Sequence, residues 1–210
     1  MLTSKASMKQ HIFSLTFFLF SCFALLGQGK FENSQFGFSM AEPENWTQAD
    51  NDDLLKNLSK IDLKEEDLKK LISDHNGSLL LTSFYKYNLS THAGLIPTIQ
   101  VNVRKNDTRN FNEFTSLITQ SANSFKQYFP DFSFETAPKV VEIGGIKSIY
   151  FVGKFSMQTA NGESLKVRSR TYAIPHGNYF FQLNFTDGQI TEDNSDLFDA
   201  LAKTVRIGRS

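Results

Sequence analysis

Lys166, Arg168 and Arg170 stand at every second position of one segment, and Lys154 stands one turn earlier in the chain. In an extended backbone that spacing sends the first three side chains to one face. A hairpin turning at 160–162 brings Lys154 beside them. Cations gathered in this way could cradle an anionic ligand or the acidic patch of a partner. They could equally form the wet side of a sheet, their long stems lying over it. Tyr150 and Tyr172 stand near the far end of the ladder. The candidate ligand- or partner-binding set is therefore Lys154, Lys166, Arg168, Arg170, Tyr150 and Tyr172.

Other chemistry has less to build on. His75, His92 and His176 lie far apart without ligand spacing, so no metal and no other cofactor is expected. Cys22 is the single cysteine. No G-x-S-x-G elbow and no Gly-rich phosphate loop occurs. Asp52, Asp53, Glu65, Glu66 and Asp67 read as a solvated helix face, with nothing to single out an acid and a base. Asn-x-Ser/Thr sequons begin at Asn45, Asn57, Asn76, Asn88, Asn106 and Asn184; they matter only in a eukaryotic secreted protein. The link 88–97, with Gly94 and Pro97, is an irregular loop of the kind that often carries function.

The element that positions the ladder is a run of alternating apolar and polar residues from Lys139 to Thr186. A two-residue turn on Asn161-Gly162 would set Phe155 opposite Arg168 and bury an unpaired arginine, at a cost of several kcal/mol. A three-residue loop, Ala160 to Gly162, instead sets Met157 opposite Leu165, Phe155 opposite Val167 and Phe151 opposite Thr171. Lys154 with Arg168, and Val152 with Arg170, then share the other face. This second register is expected, with Gly162 in the left-handed conformation. Pro175 and Gly177 suggest a further three-residue loop. It would set Tyr179 opposite Ala173 and Phe181 opposite Thr171, so that Phe181, Leu183 and Phe185 continue the apolar face. Gly144-Gly145 makes a two-residue turn. The expected product is a four-stranded antiparallel meander with its phenylalanines on a core face and its cations on the other. Counter-charge is expected from the Asp52–Asp67 helices.

Around the meander, Phe36, Phe38 and Met40 mark a short strand ended by Pro43, with Trp46 packing back on the core. Two short helices are expected between Asp52 and Ser73. Two more strands follow, one of them with Ile99, Val101 and Val103 facing one way. The clearest helix has Asn110 as its cap, Glu113 at its third position, and a stripe of Phe111, Phe114, Leu117, Ile118, Ala122, Phe125 and Phe129; Pro130 ends it. A last helix points Leu197, Leu201 and Val205 inward.

The first residues read as a leader rather than as fold. Lys5 and Lys9 precede an apolar run from Ile12 to Leu26, and Gly27 and Gly29 follow. That is a secretory signal over residues 1–29, too short for a good membrane span. "LFSC" offers an alternative, a lipoprotein box anchoring the protein through Cys22. The whole chain is formally neutral, which excludes the concentrated positive field that nucleic acid requires.

Phe36-Gly37-Phe38 leading to Pro43-Glu44-Asn45-Trp46 resembles the PsbP-like, or Mog1/PsbP, superfamily, which includes DcrB-like and DUF1795-type exported bacterial proteins. So does the strand from Tyr179 to Phe185, followed by a last helix and Val205-Arg206-Ile207. The resemblance implies an α+β fold over residues 30–210: an antiparallel sheet flanked by helices on both faces, an α/β/α sandwich. It implies accessory and assembly roles, and it carries over no catalytic residue. The stretch Asp52–Ser73 departs from many relatives. The expected function is an exported, non-enzymatic accessory, binding or assembly module of the bacterial envelope. It would be periplasmic or secreted and would meet an envelope protein or an anionic ligand. The alternative is an envelope hydrolase or carbohydrate-acting enzyme.

Overall fold

The computed structural model describes residues 29–49, 70, 72–74, 77–159 and 162–208. The expected leader with Cys22, and nearly all of the Asp52–Ser73 stretch, lie outside these residues. So do His75, the sequons at Asn57 and Asn76, and the acidic helices expected to supply counter-charge.

Ten strands and two helices are described whole, and residues 70 and 72–74 are also helical, with Ile72 in the core. The strands are β1 (Lys30–Asn33), β2 (Phe38–Ala41), β3 (Thr47–Gln48), β4 (Ser78–Tyr85), β5 (Thr98–Lys105), β6 (Ser133–Ile143), β7 (Ile146–Gln158), β8 (Ser164–His176), β9 (Tyr179–Gly188) and β10 (Arg206–Ile207). Helix α1 (Phe111–Tyr128) joins β5 to β6, and α2 (Ser195–Thr204) joins β9 to β10. Seven strands form one antiparallel sheet in the order β3-β4-β5-β9-β8-β7-β6; β1, β2 and β10 form a second, small one.

Alternation along the strands gives the large sheet two faces. On one, Ile99, Val101, Val103, Phe181, Leu183 and Phe185 are fully buried with Phe38, Met40, Phe198, Leu201 and Val205 from the small sheet and α2. Ring centroids of Phe38 and Phe181 lie 5.1 Å apart, and those of Phe185 and Phe198 5.2 Å apart. Trp46 packs against Phe198 from outside. On the other face, Phe114, Ile118 and Ala122 of α1 cover Ile149, Phe151, Ala173 and Phe180. Phe132, Phe155 and Val167 make a smaller cluster beside it, with Leu95, Phe125, Phe129 and Leu165 packed around.

Helix α1 begins as its sequence asks. The Asn110 side chain accepts from the Asn112 and Glu113 amides, and Glu113 accepts from the Arg109 amide. Each cap bond satisfies a donor that the helix itself cannot. Leu117, expected on the inner stripe, is instead 41% exposed, since Phe114, Ile118 and Ala122 fill the contact with the sheet. On α2 the deepest side chain is Phe198 rather than Leu197, which only flanks the core.

The β7–β8 hairpin has the expected register: Phe155 faces Val167, Met157 faces Leu165, Lys154 faces Arg168 and Val152 faces Arg170. Gly162 has φ +84°, and Gly144 and Gly145 have φ +58° and +80° in a two-residue turn. The next turn differs from expectation. His176 pairs with Tyr179, leaving a two-residue turn on Gly177-Asn178 with Gly177 at φ +56°. A positive φ at the first central residue alone is what a type II′ hairpin turn uses, and its twist suits the strands. The register therefore slips by three residues, an odd number, and the faces exchange. Phe181 lies opposite Ile174, Leu183 opposite Tyr172, and Phe185 opposite Arg170. Phe181 and Phe185 of β9 thus share a face with the arginines of β8, while Phe151, Phe155 and Phe180 look the other way, toward α1.

Candidate functional site

The register slip decides the environment of the ladder. All four cations and both tyrosines share one face, as expected, but it is the α2 face, which Phe181, Leu183 and Phe185 share, and not one opposite them. That face is not open along its length, because the link between β9 and α2 folds back over it. Asp187, two positions past Phe185, points to the same side and is fully buried. The Arg168 fork binds it twice, through Nε at 3.0 Å and Nη2 at 3.1 Å. Arg170 Nη1 donates to the same carboxylate at 2.9 Å, and the Asn194 amide donates at 2.8 Å. Arg168 Nη2 reaches Asp193 at 2.7 Å, and Arg170 Nη2 donates to the Ser195 hydroxyl. The Arg170 guanidinium also lies 5.4 Å from the centre of the Phe198 ring. Two arginines and two aspartates thus form a neutral cluster joining β8, β9 and the start of α2.

Charge states follow this geometry. Burial opposes the Arg168 charge, but the bonds and fields of Asp187 and Asp193 outweigh it and raise its pKa. The Ser195 hydroxyl and amide, with Arg168 behind them, hold the exposed Asp193 carboxyl at about 2. Burial raises the phenols of Tyr150 and Tyr172, whose rings pack 4.5 Å apart.

Lys154 and Lys166 lie beyond this cover. Their side chains are 37% and 51% exposed, with Glu135 at 3.4 Å and Asp131 at 3.7 Å. Pairs so exposed contribute little to stability and leave both ammonium groups able to meet a partner. Lys166 also donates to the Ser156 hydroxyl at 2.7 Å, which donates in turn to Asp131. The structure thus divides the predicted set: Arg168 and Arg170 are turned inward, Tyr150 and Tyr172 pack on each other beyond Arg170, and the two lysines face solvent at the hairpin end.

The 88–97 loop comes to the same end of the sheet. The His92 ring stacks on Tyr87 at 4.2 Å. Tyr87 and Lys86 bind Glu192 at 2.7 and 2.6 Å, lowering its pKa. Glu192 holds a left-handed backbone, φ +60°, a conformation that costs energy in a residue other than glycine. Between the two loops lies a cleft of about 420 Å³ lined by His92, Leu95, Glu163, Lys166, Ile190 and Glu192. A second, shallower cleft lies between the end of α1 and the β7–β8 hairpin, lined by Tyr128, Phe129, Asp131, Met157 and Ser164. Ser164 borders both. Around them Tyr128 is 75%, Met157 45% and Ile190 82% exposed. Sequence reasoning missed Asp187, Asp193 and these three apolar residues. The period-two spacing of Asp187 from Phe185 was the available signal for the first.

No family model and no curated protein matches the chain. Solved structures do resemble it. One is LpqN, described as involved in cell envelope biogenesis of Mycobacterium tuberculosis: TM-score 0.49, 15% identity, covering 86% of this chain and 90% of that one. A Bacteroides thetaiotaomicron VPI-5482 structure gives a TM-score of 0.47 and 13% identity, over 86% of this chain and 48% of the other. Cyanobacterial PsbP (CyanoP) from Synechocystis sp. PCC 6803 gives 0.50 and 10% identity, over 86% and 92%. The fold is PsbP-like: an α+β arrangement built on a large antiparallel sheet with helices against it. Among the described residues, no helix is long and apolar enough to cross a membrane.

Proposed function

We propose that the protein is an exported, non-enzymatic binding or assembly module of a bacterial cell envelope. A leader over residues 1–29 sends out a single domain over 30–210, and the domain meets an envelope protein through the β7–β8 hairpin end of its sheet. One observation carries the choice of surface. Tyr128, Met157 and Ile190 stand exposed around two clefts that meet at Ser164, with Lys166 in the wall of one of them. Large apolar side chains inside a charged rim are the usual anatomy of a protein interface. Lys154 and Lys166 favour a partner with acidic groups opposite them.

The test places a photo-crosslinking residue at Tyr128 or Met157, with Val140 on the edge strand as control, in cells that make the protein. A discrete crosslinked protein is expected from 128 and 157, weakened by Lys154→Gln with Lys166→Gln. A product from Val140 and none from the hairpin end would overturn the assignment.

A further inference from the structure

The face of the sheet that carries α1 changes character halfway across. Under α1 it is apolar. On β5 and β9 it is a block of uncharged polar side chains. Gln100 lies opposite Asn184, Asn102 opposite Gln182, and Thr98 opposite Thr186; Thr171 flanks Asn184 from β8. Except for the buried Thr171, these residues are all half-buried. Arg104, at one corner, brings the block its one charge, and it donates to Gln182 at 3.0 Å.

Hydrogen bonds fix part of this block and leave part of it free. Asn184 Oδ1 accepts from Thr171 at 3.1 Å and from Gln182 at 3.2 Å, which leaves the Asn184 Nδ2 donors over. The side-chain amides of Gln100 and Asn102 have no partner among the described residues. Tyr85 lies opposite Thr98 on the same face, half-buried, and its ring stacks on no other among the described residues. Each free amide offers donors and an acceptor at a position set by the strand, so little conformational freedom is lost on binding. Sugar hydroxyls offer the complementary mixture without net charge. The C–H face of a pyranose suits a flat aromatic ring. A charged partner would find no counter-charge there beyond Arg104.

We propose that this face binds a neutral glycan, a flat β-1,4-linked chain lying across β5 and β9 with one sugar against Tyr85. The site is separate from the hairpin end, so either assignment can fail without the other. The test titrates the 15N-labelled protein with chitotetraose and with cellotetraose and follows side-chain amide resonances. Saturable shifts are expected for Gln100, Asn102 and Asn184 with at least one probe, unchanged by added salt. Gln100→Ala with Asn102→Ala, and separately Tyr85→Ala, should weaken binding about tenfold or more; Lys166→Gln should not. The proposal falls if neither probe gives saturable shifts up to ~10 mM. It falls equally if shifts gather at the hairpin end, or if the folded double variant binds as tightly as the parent.

Discussion

Asp187 accepts both parallel donors of the Arg168 fork while having no solvent exposure of its own. A carboxylate buried so completely is tolerable only with every lone pair engaged, and Arg170 and the Asn194 amide complete the set. Removing it leaves two inward-turned guanidinium groups short of a partner. Asp187→Ala is expected to cost about 3–5 kcal/mol, read from the urea midpoint. Ser195→Ala, which removes one neutral partner of Arg170, should cost about 1 kcal/mol.

Acid should loosen the same region. Asp193 lies at about 2 against an ordinary 3.8, and Glu192 and Asp131 are shifted the same way. A carboxyl whose pKa is lowered by folding favours the folded state above its ordinary value, and that contribution is lost as pH falls through the folded one. Stability should therefore decline between about pH 4 and about pH 2. Asp193→Asn should flatten the decline, as measured by denaturation midpoints across that range.

Gly188 directly follows Asp187, and a Cβ there would sit 2.1 Å from the Thr191 carbonyl oxygen. Since the obstacle is backbone, the loop over the arginines must move. Gly188→Ala should cost about 1–3 kcal/mol and should raise amide exchange at Asn194 and Ser195 more than in α1.

The Gly177-Asn178 turn offers a check on the register. Gly177→Ala forces a side chain into a left-handed backbone and should cost about 1–2 kcal/mol, seen in thermal unfolding. Gly162→Ala carries the same backbone strain, φ +84° with nothing within 4 Å of the added carbon. The two losses should be similar and additive, because the turns lie at opposite ends of β8.

Much of the sheet could be read from residue order, for a physical reason. Across the β7–β8 hairpin one register buries Arg168 against Phe155 and the other does not, so energy selects between them. Strand β9 offers no such contrast. Phe180 serves α1 and Phe181 serves the α2 face, so alternation fits either frame, and Pro175 favours a loop at 175–177 where the chain turns at 177–178. The basic ladder was visible as a pattern, but not its cover. Asp187 and Asp193 come from a later strand and a loop, and only the three-dimensional return of that loop brings them to the arginines. Tyr128, Met157 and Ile190 form their patch in the same non-local way.

Strand β2 takes β10 as a neighbour, Ser39 against Arg206 and Phe38 against Ile207, and the Ala41 amide bonds the Thr204 hydroxyl. An early strand of the domain therefore takes its partner from a late one. Phe38 and Met40 share their core cluster with Phe198, Leu201 and Val205, and so lack part of their cover until α2 and that late strand are in place. The small sheet thus ties β2 to β10 across all of the intervening chain, so that loss of either strand bares the core beneath the other.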